Sequence, residues 1–138
     1  LHYDLNMEKI EEQLHFLQRC YAVCAVKEKL IETEESFFAI SRAIHLAVEC
    51  MIDVGTVMID GFIMRDPGGY LDIVDILEDE QVLTADVATV LRDWVKIRDR
   101  LVRSYTKVEY TDCLPYLEQV DTLKRFDQQV RDYISREA

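Results

Sequence analysis

Apolar side chains recur at three- and four-residue spacing along nearly the whole chain, and no run shows sustained period-two alternation. Spacing of this kind gathers the apolar positions on one face of a helix, whereas a half-buried strand needs every second residue. Four glycines and two prolines are too few for the turns of a strand-rich fold. The expected architecture is therefore an all-α bundle of about five helices. At 138 residues the chain is the size of one domain, 1–138, with no internal repeat, low-complexity segment or interdomain linker.

The spacing predicts a first helix over 4–31, with Ile10, Leu14, Leu17, Tyr21 and Cys24 on its buried side. A second runs over 34–63 and carries Phe37, Ile40, Ile44, Ala47, Met51, Val54 and Met58 on one face. Phe38, Val48, Ile52 and Ile59 widen that face, as suits a bundle centre or a dimer interface. Asp66-Pro67-Gly68-Gly69 predicts a turn, and Ile73, Val74 and Leu77 face inward from a short helix over 70–78. Thr84 reads as the N-cap of a fourth helix over 85–104, which buries Val87, Val90, Leu91, Trp94, Leu101 and Val102. A fifth is expected over 113–135, with Pro115 in its first turn, after a connection at Tyr110-Thr111-Asp112.

Charge is unevenly distributed. From Arg92 to Lys107 six basic residues (Arg92, Lys96, Arg98, Arg100, Arg103, Lys107) stand against Asp93 and Asp99. That local +4 lies in a chain of net charge -11, leaving -15 elsewhere. Overall acidity opposes broad binding to nucleic acid, but a narrow basic cleft for phosphate is compatible with it. The competing reading is a solvated helix face laced with ion pairs. Arg98 and Tyr105 are seven apart and share a helical face, while Arg103 points about 140° away from Arg98 on an unbroken helix. The two arginines converge only if the helix ends near 103 or a second subunit completes the cleft. Arginine's planar fork suits phosphate oxygens, and a tyrosine hydroxyl can position a phosphate or accept a phosphoryl-type group.

No apolar stretch is long enough to span a bilayer, and Leu1-His2-Tyr3-Asp4 lacks the pattern of a secretory signal. A cytoplasmic location without membrane attachment is expected. Cys20 and Cys24, four apart, are able to share a metal, but the four cysteines read better as small apolar residues in a reduced core. No cofactor or metal is expected.

Three blocks resemble the HepT-like toxins of the HEPN superfamily, in order and spacing and over most of the chain. They are the helix Arg42-Ala43-Ile44-His45-Leu46-Ala47-Val48-Glu49-Cys50-Met51-Ile52-Asp53-Val54-Gly55, the segment Gly69 to Leu77, and Arg98-Asp99-Arg100-Leu101-Val102-Arg103-Ser104-Tyr105. The last is similar to the family signature Arg-Asn-x-Leu-Val-His-x-Tyr, matching at Arg98, Leu101, Val102 and Tyr105. The resemblance implies an obligate helical homodimer with one signature from each subunit in a composite cleft. It implies metal-independent RNA cleavage, and a nucleotidyltransferase antitoxin of the MNT type that attaches AMP to Tyr105.

Two positions depart from the signature. Asp99 stands for its asparagine and Arg103 for its histidine. Histidine exchanges a proton near neutral pH; arginine stays protonated and only stabilises charge. Cleavage that depends on that histidine should fall by roughly 10²–10⁴-fold. Arg98 and Arg103 are the expected catalytic pair, with Arg98, Asp99, Arg100, Arg103 and Tyr105 as the phosphate-binding set. Asp99 has Arg103, Arg98 or Arg100 within reach, and i+4 spacing permits a pair with Arg103 without demanding it. Neither His2 nor His15 replaces the missing histidine, and His45 beside Glu49 reads as a local surface or interface hydrogen bond. A weakened toxin, a non-catalytic dimer binding nucleotide or RNA, and an adaptor for a nucleotidyltransferase are the three functions in competition.

Overall fold

The computed structural model describes residues 4–26 and 32–138. Among these it forms six α-helices and no strand: α1 (Met7–Cys24), α2 (Glu34–Gly61), α3 (Tyr70–Asp79), α4 (Ala85–Arg103), α5 (Tyr110–Leu117) and α6 (Asp121–Glu137). A single 3₁₀ turn, Tyr105–Lys107, follows α4. The all-α expectation holds, with one helix more than anticipated.

α2 is the centre of the bundle. It packs against α1, α3, α4 and α5, and α6 closes the far side against α1 and α4. Its buried residues run from Ile40 to Gly61 and include Ala43, Ala47, Val48, Met51, Ile52 and Met58, an arc too wide for one neighbour. The side chain of Thr33 starts it by accepting the Ser36 N–H at 3.1 Å. At Gly55 α3 comes so close that an added Cβ would lie 2.8 Å from Ile73 Cγ2. Phe37 packs at the edge of the core and Phe38 stays 61% exposed.

Several expectations need correction. α1 begins at Met7, capped by Asn6 Oδ1, which accepts the Lys9 N–H; its helical run closes at Cys24. Residues 27–31 of the expected first helix lie outside the described residues, as does His2. Cys20 takes the buried place expected of Tyr21, which packs at the rim with its hydroxyl toward Asp121. All four cysteines stand in the core, and burial pushes the Cys24 thiol up to about 12. In α4, Ala88, Val95 and Ile97 join Val87, Leu91 and Trp94 in the interior, while Val90 and Leu101 are half-buried and Val102 is exposed. Thr84 does mark the start of α4. Its Oγ1 accepts from Gln129 Nε2 at 2.9 Å, which ties α6 to the beginning of α4.

The expected fifth helix is two helices. α5 starts at Tyr110, where Glu109 and Asp112 form a reciprocal capping box. Pro115 therefore lies beyond the first turn, where its missing N–H interrupts the ladder. The chain turns at 118–120, Gln119 N–H donating to the Tyr116 carbonyl, and α6 starts afresh at Asp121.

Candidate functional site

The chemistry gathers where α2, α3 and α4 meet. Arg98, near the end of α4, donates from Nε to Glu49 Oε1 at 2.7 Å and from Nη1 to Asp99 Oδ1 at 3.1 Å. Its guanidinium lies 4.5 Å above the ring of Tyr70, at the start of α3. The Tyr70 hydroxyl donates to the second Glu49 oxygen at 2.7 Å. Glu49 thus spends one oxygen on the arginine and the other on the tyrosine, and both partners are locked.

The helical repeat explains why α2 supplies this anchor. His45 and Glu49 are one turn apart on a flank of α2 whose other side is buried among Val48, Met51 and Ile52. His45 Nε2 lies 3.5 Å from Glu49 Oε1, the same oxygen that holds Arg98. Arg42, one turn earlier, points Nη1 at His45 Nδ1 from 3.4 Å. The His45–Glu49 contact expected to be merely local belongs to the signature arginine's own anchor.

Burial and charge shift the group together. Burial depresses the His45 pKa below the ordinary histidine value against the pull of Glu49, and Arg42 and Arg98 depress it further. Burial raises the Tyr70 hydroxyl, and its hydrogen bond to Glu49 adds to the rise. Burial and the nearby Glu49 charge both raise Asp53, one turn further along α2. For Arg98, burial works downward, but the bonds to Asp99 and Glu49 carry it above the usual arginine value. The side chain is only 16% exposed and permanently cationic.

The sequence-predicted residues divide in two. Arg98 and Asp99 are in the cluster, and Asp99 pairs with its neighbour Arg98 rather than with Arg103. Arg100 reaches the other way, to Asp112 at 3.4 Å, and fastens α4 to the first turn of α5. Arg103 is the last residue of α4, and Ser104 leaves helical geometry at φ -128, ψ 38. The helix end that convergence of the two arginines required is present, but the same break takes Tyr105 off the α4 face shared with Arg98. Tyr105 is 69% exposed in the 3₁₀ turn, and Arg103 is exposed with no hydrogen bond or ion pair among the described residues.

The ion-pair reading of the basic stretch is half right. Arg92 is held by Asp75 and Glu78 of α3, Arg98 by Glu49 and Asp99, and Arg100 by Asp112. Lys96, Arg103 and Lys107 remain exposed and unpaired among the described residues. The sequence set Glu49 beside His45 but did not join it to Arg98. Its one available signal was its place a helical turn after His45, in a block already set beside the signature.

A family model described as Ribonuclease HepT-like matches residues 10–130. The chain is 35% identical over 136 residues to YutE of Bacillus subtilis (strain 168), a candidate RNase, covering 98% of this chain and 94% of that protein. The solved structure of Bacillus subtilis YutE, described as a cytosolic protein, superposes with a TM-score of 0.91 at 34% identity, over 98% of this chain and 94% of the other. The tri-AMPylated HEPN toxin of Shewanella oneidensis, in complex with an MNT antitoxin, superposes with a TM-score of 0.81 over 90% of this chain and 97% of that one. At 12% identity that likeness is one of fold. No helix among the described residues is long and apolar enough to cross a membrane.

Proposed function

The chain belongs to the HepT-like ribonuclease family, and on that premise we propose that it is a slowed, metal-independent RNA endonuclease of the toxin–antitoxin kind. The observation that carries this reading is Arg98. It is fixed by Glu49, Asp99 and the Tyr70 ring, yet its Nη2 has no hydrogen-bond partner among the described residues. A cation held in advance at one point stabilises the charge that builds on phosphate oxygens in the transition state. Arg103, Lys96 and Lys107 supply exposed positive charge for the RNA backbone. Arg103 adds charge where the family signature has its proton carrier, so the reaction runs below the rate of a chain with histidine there.

Two copies of the chain form the working unit in this reading, each contributing a signature to one cleft. The exposed apolar Val102 beside Arg103 suits such a contact. The partner is a nucleotidyltransferase antitoxin, as in the Shewanella complex. Tyr105, 69% exposed on a short turn after the helix, is open to receive AMP from it.

The test compares RNA cleavage by the wild type with that of an Arg103→His, Asp99→Asn double variant, each with and without Arg98→Ala. The double variant should gain up to roughly 10²–10⁴-fold, and Arg98→Ala should remove the gain. No gain, or a gain indifferent to Arg98, contradicts the reading. RNA binding without any cleavage would instead mark a binding module.

A further inference from the structure

We propose that His45 is a general base of this cleft, supplying part of the proton transfer that Arg103 is unable to perform. The inference rests on the ribonuclease reading above and adds to it a residue outside the signature. The ground is geometric. Among the described histidines, His15 lies on α1, its side chain 73% exposed, and bonds back to the Glu11 carbonyl. His45 shares a single carboxylate oxygen, Glu49 Oε1, with the signature arginine. A phosphate drawn to Arg98 therefore comes within reach of the imidazole, whose side chain is 25% exposed.

The neighbours also set the ring's tautomer. Arg42 has only hydrogens to offer, so Nδ1 facing it presents a lone pair, and Nε2 carries the hydrogen directed at Glu49. A base oriented by a carboxylate through its far nitrogen is the arrangement that general-base catalysis needs. RNA phosphate competes with Nδ1 for Arg42, and drawing that guanidinium away opens the lone pair to a 2′-hydroxyl. The 2′-oxygen then bonds to phosphorus as its proton passes to Nδ1. The bond from phosphorus to the 5′-oxygen breaks, its electron pair stays with that oxygen, and water protonates it. The imidazolium returns its proton to the hydroxide left behind, so products are a 2′,3′-cyclic phosphate and a 5′-hydroxyl.

The charged groups acting on the ring are Arg42 and Glu49 on α2 and Arg98 on α4; Tyr70 of α3 and Asp53 act on Glu49, and Asp99 on Arg98, one contact further out. Burial and the two arginines keep the imidazole neutral at the pH of the cell, which is the form a base requires.

The experiment is the pH dependence of single-turnover RNA cleavage in the presence of a chelator, for wild type, His45→Gln, His45→Ala and Arg98→Ala. The wild-type rate should fall on acidification with a midpoint below the ordinary histidine value. His45→Gln should lower the rate at neutral pH by roughly 10²-fold and erase that acid limb. Added imidazole should restore part of the rate to His45→Ala, which separates lost chemistry from lost folding. A His45→Gln protein that keeps the acid limb, whether or not its rate drops, overturns the proposal and leaves the ribonuclease reading standing. Absence of Arg98-dependent cleavage in the wild type overturns the ribonuclease reading itself, and His45 falls with it.

Discussion

Glu49 Oε1 and Arg98 Nε stand 2.7 Å apart, joining the middle of α2 to the end of α4 across 49 residues of sequence. The contact gives the signature arginine a fixed direction, and the same carboxylate holds Tyr70 and faces His45. Glu49→Gln keeps the shape but removes the charge from one side of a largely shielded pair. It should cost about 1.5–3 kcal/mol of stability, read as the shift of a urea midpoint at constant slope. Its RNA cleavage should fall with it, because Arg98 loses its orientation while keeping its charge. A Glu49→Gln protein with wild-type stability and rate would show the contact to be incidental.

A second clasp, between α1 and α6, makes stability depend on pH. Arg131 grips Glu11 with two nitrogens, at 2.6 and 3.1 Å, and reaches Asp127 with Nε. The hydrogen bond from Arg131 holds the Glu11 carboxyl below the ordinary glutamate value, against a smaller opposing effect of burial. A carboxylate depressed on folding stabilises above its unfolded pKa, and that contribution is lost as pH falls through the folded value. Thermal midpoints should therefore drop between neutral pH and about pH 3, with a smaller drop in Glu11→Gln. Glu11 is 39% exposed, so salt should shrink the difference between the two proteins. Identical acid limbs would remove the clasp from the account.

The sequence reached Arg98 but not its anchor, for a physical reason. A signature is contiguous, so Arg98 announced itself by local spacing; Glu49 is one of 27 acidic residues and acquires its role only when α2 and α4 pack. Helical periodicity likewise found the long helices but put Tyr21 on the buried face of α1 where Cys20 stands, because the two lie 100° apart on adjoining edges of that face. The division of the last helix was hidden because a start at Cys113 makes Pro115 harmless. The Glu109–Asp112 capping box, three residues earlier, turns the same proline into an interruption. The i+4 spacing allowed Asp99 a pair with Arg103, yet the adjacent Arg98 was already held within its reach.

The end of α2 carries strain that can be relieved. Ile63 has φ 56, a left-handed conformation unfavourable for a β-branched residue, and its side chain is 73% exposed. Glycine adopts this geometry freely, and little burial is lost with the side chain. Ile63→Gly should raise stability by about 1 kcal/mol, read in urea unfolding. A loss of stability of that size would contradict the assignment of strain.

Gly55 tests the approach of α2 to α3, which sets Tyr70 against Arg98. An added Cβ would meet Ile73 Cγ2 at 2.8 Å and Leu77 Cδ1 at 3.1 Å. Gly55→Val should destabilise by about 1–3 kcal/mol through overpacking. Gly69→Ala is the comparator, since nothing lies within 4 Å of its Cβ position. It should leave stability within about 0.5 kcal/mol. Equal effects at the two glycines would mean that the helices do not approach this closely.

Single-turnover cleavage of RNA by the purified protein in chelator, beside Arg98→Ala, measures what the held arginine contributes. The wild type should cleave without added metal and leave fragments ending in 2′,3′-cyclic phosphate, and Arg98→Ala should be slower by roughly 10²–10³-fold. Equal rates in the two proteins, or no cleavage by the wild type, would rule out a ribonuclease built on Arg98.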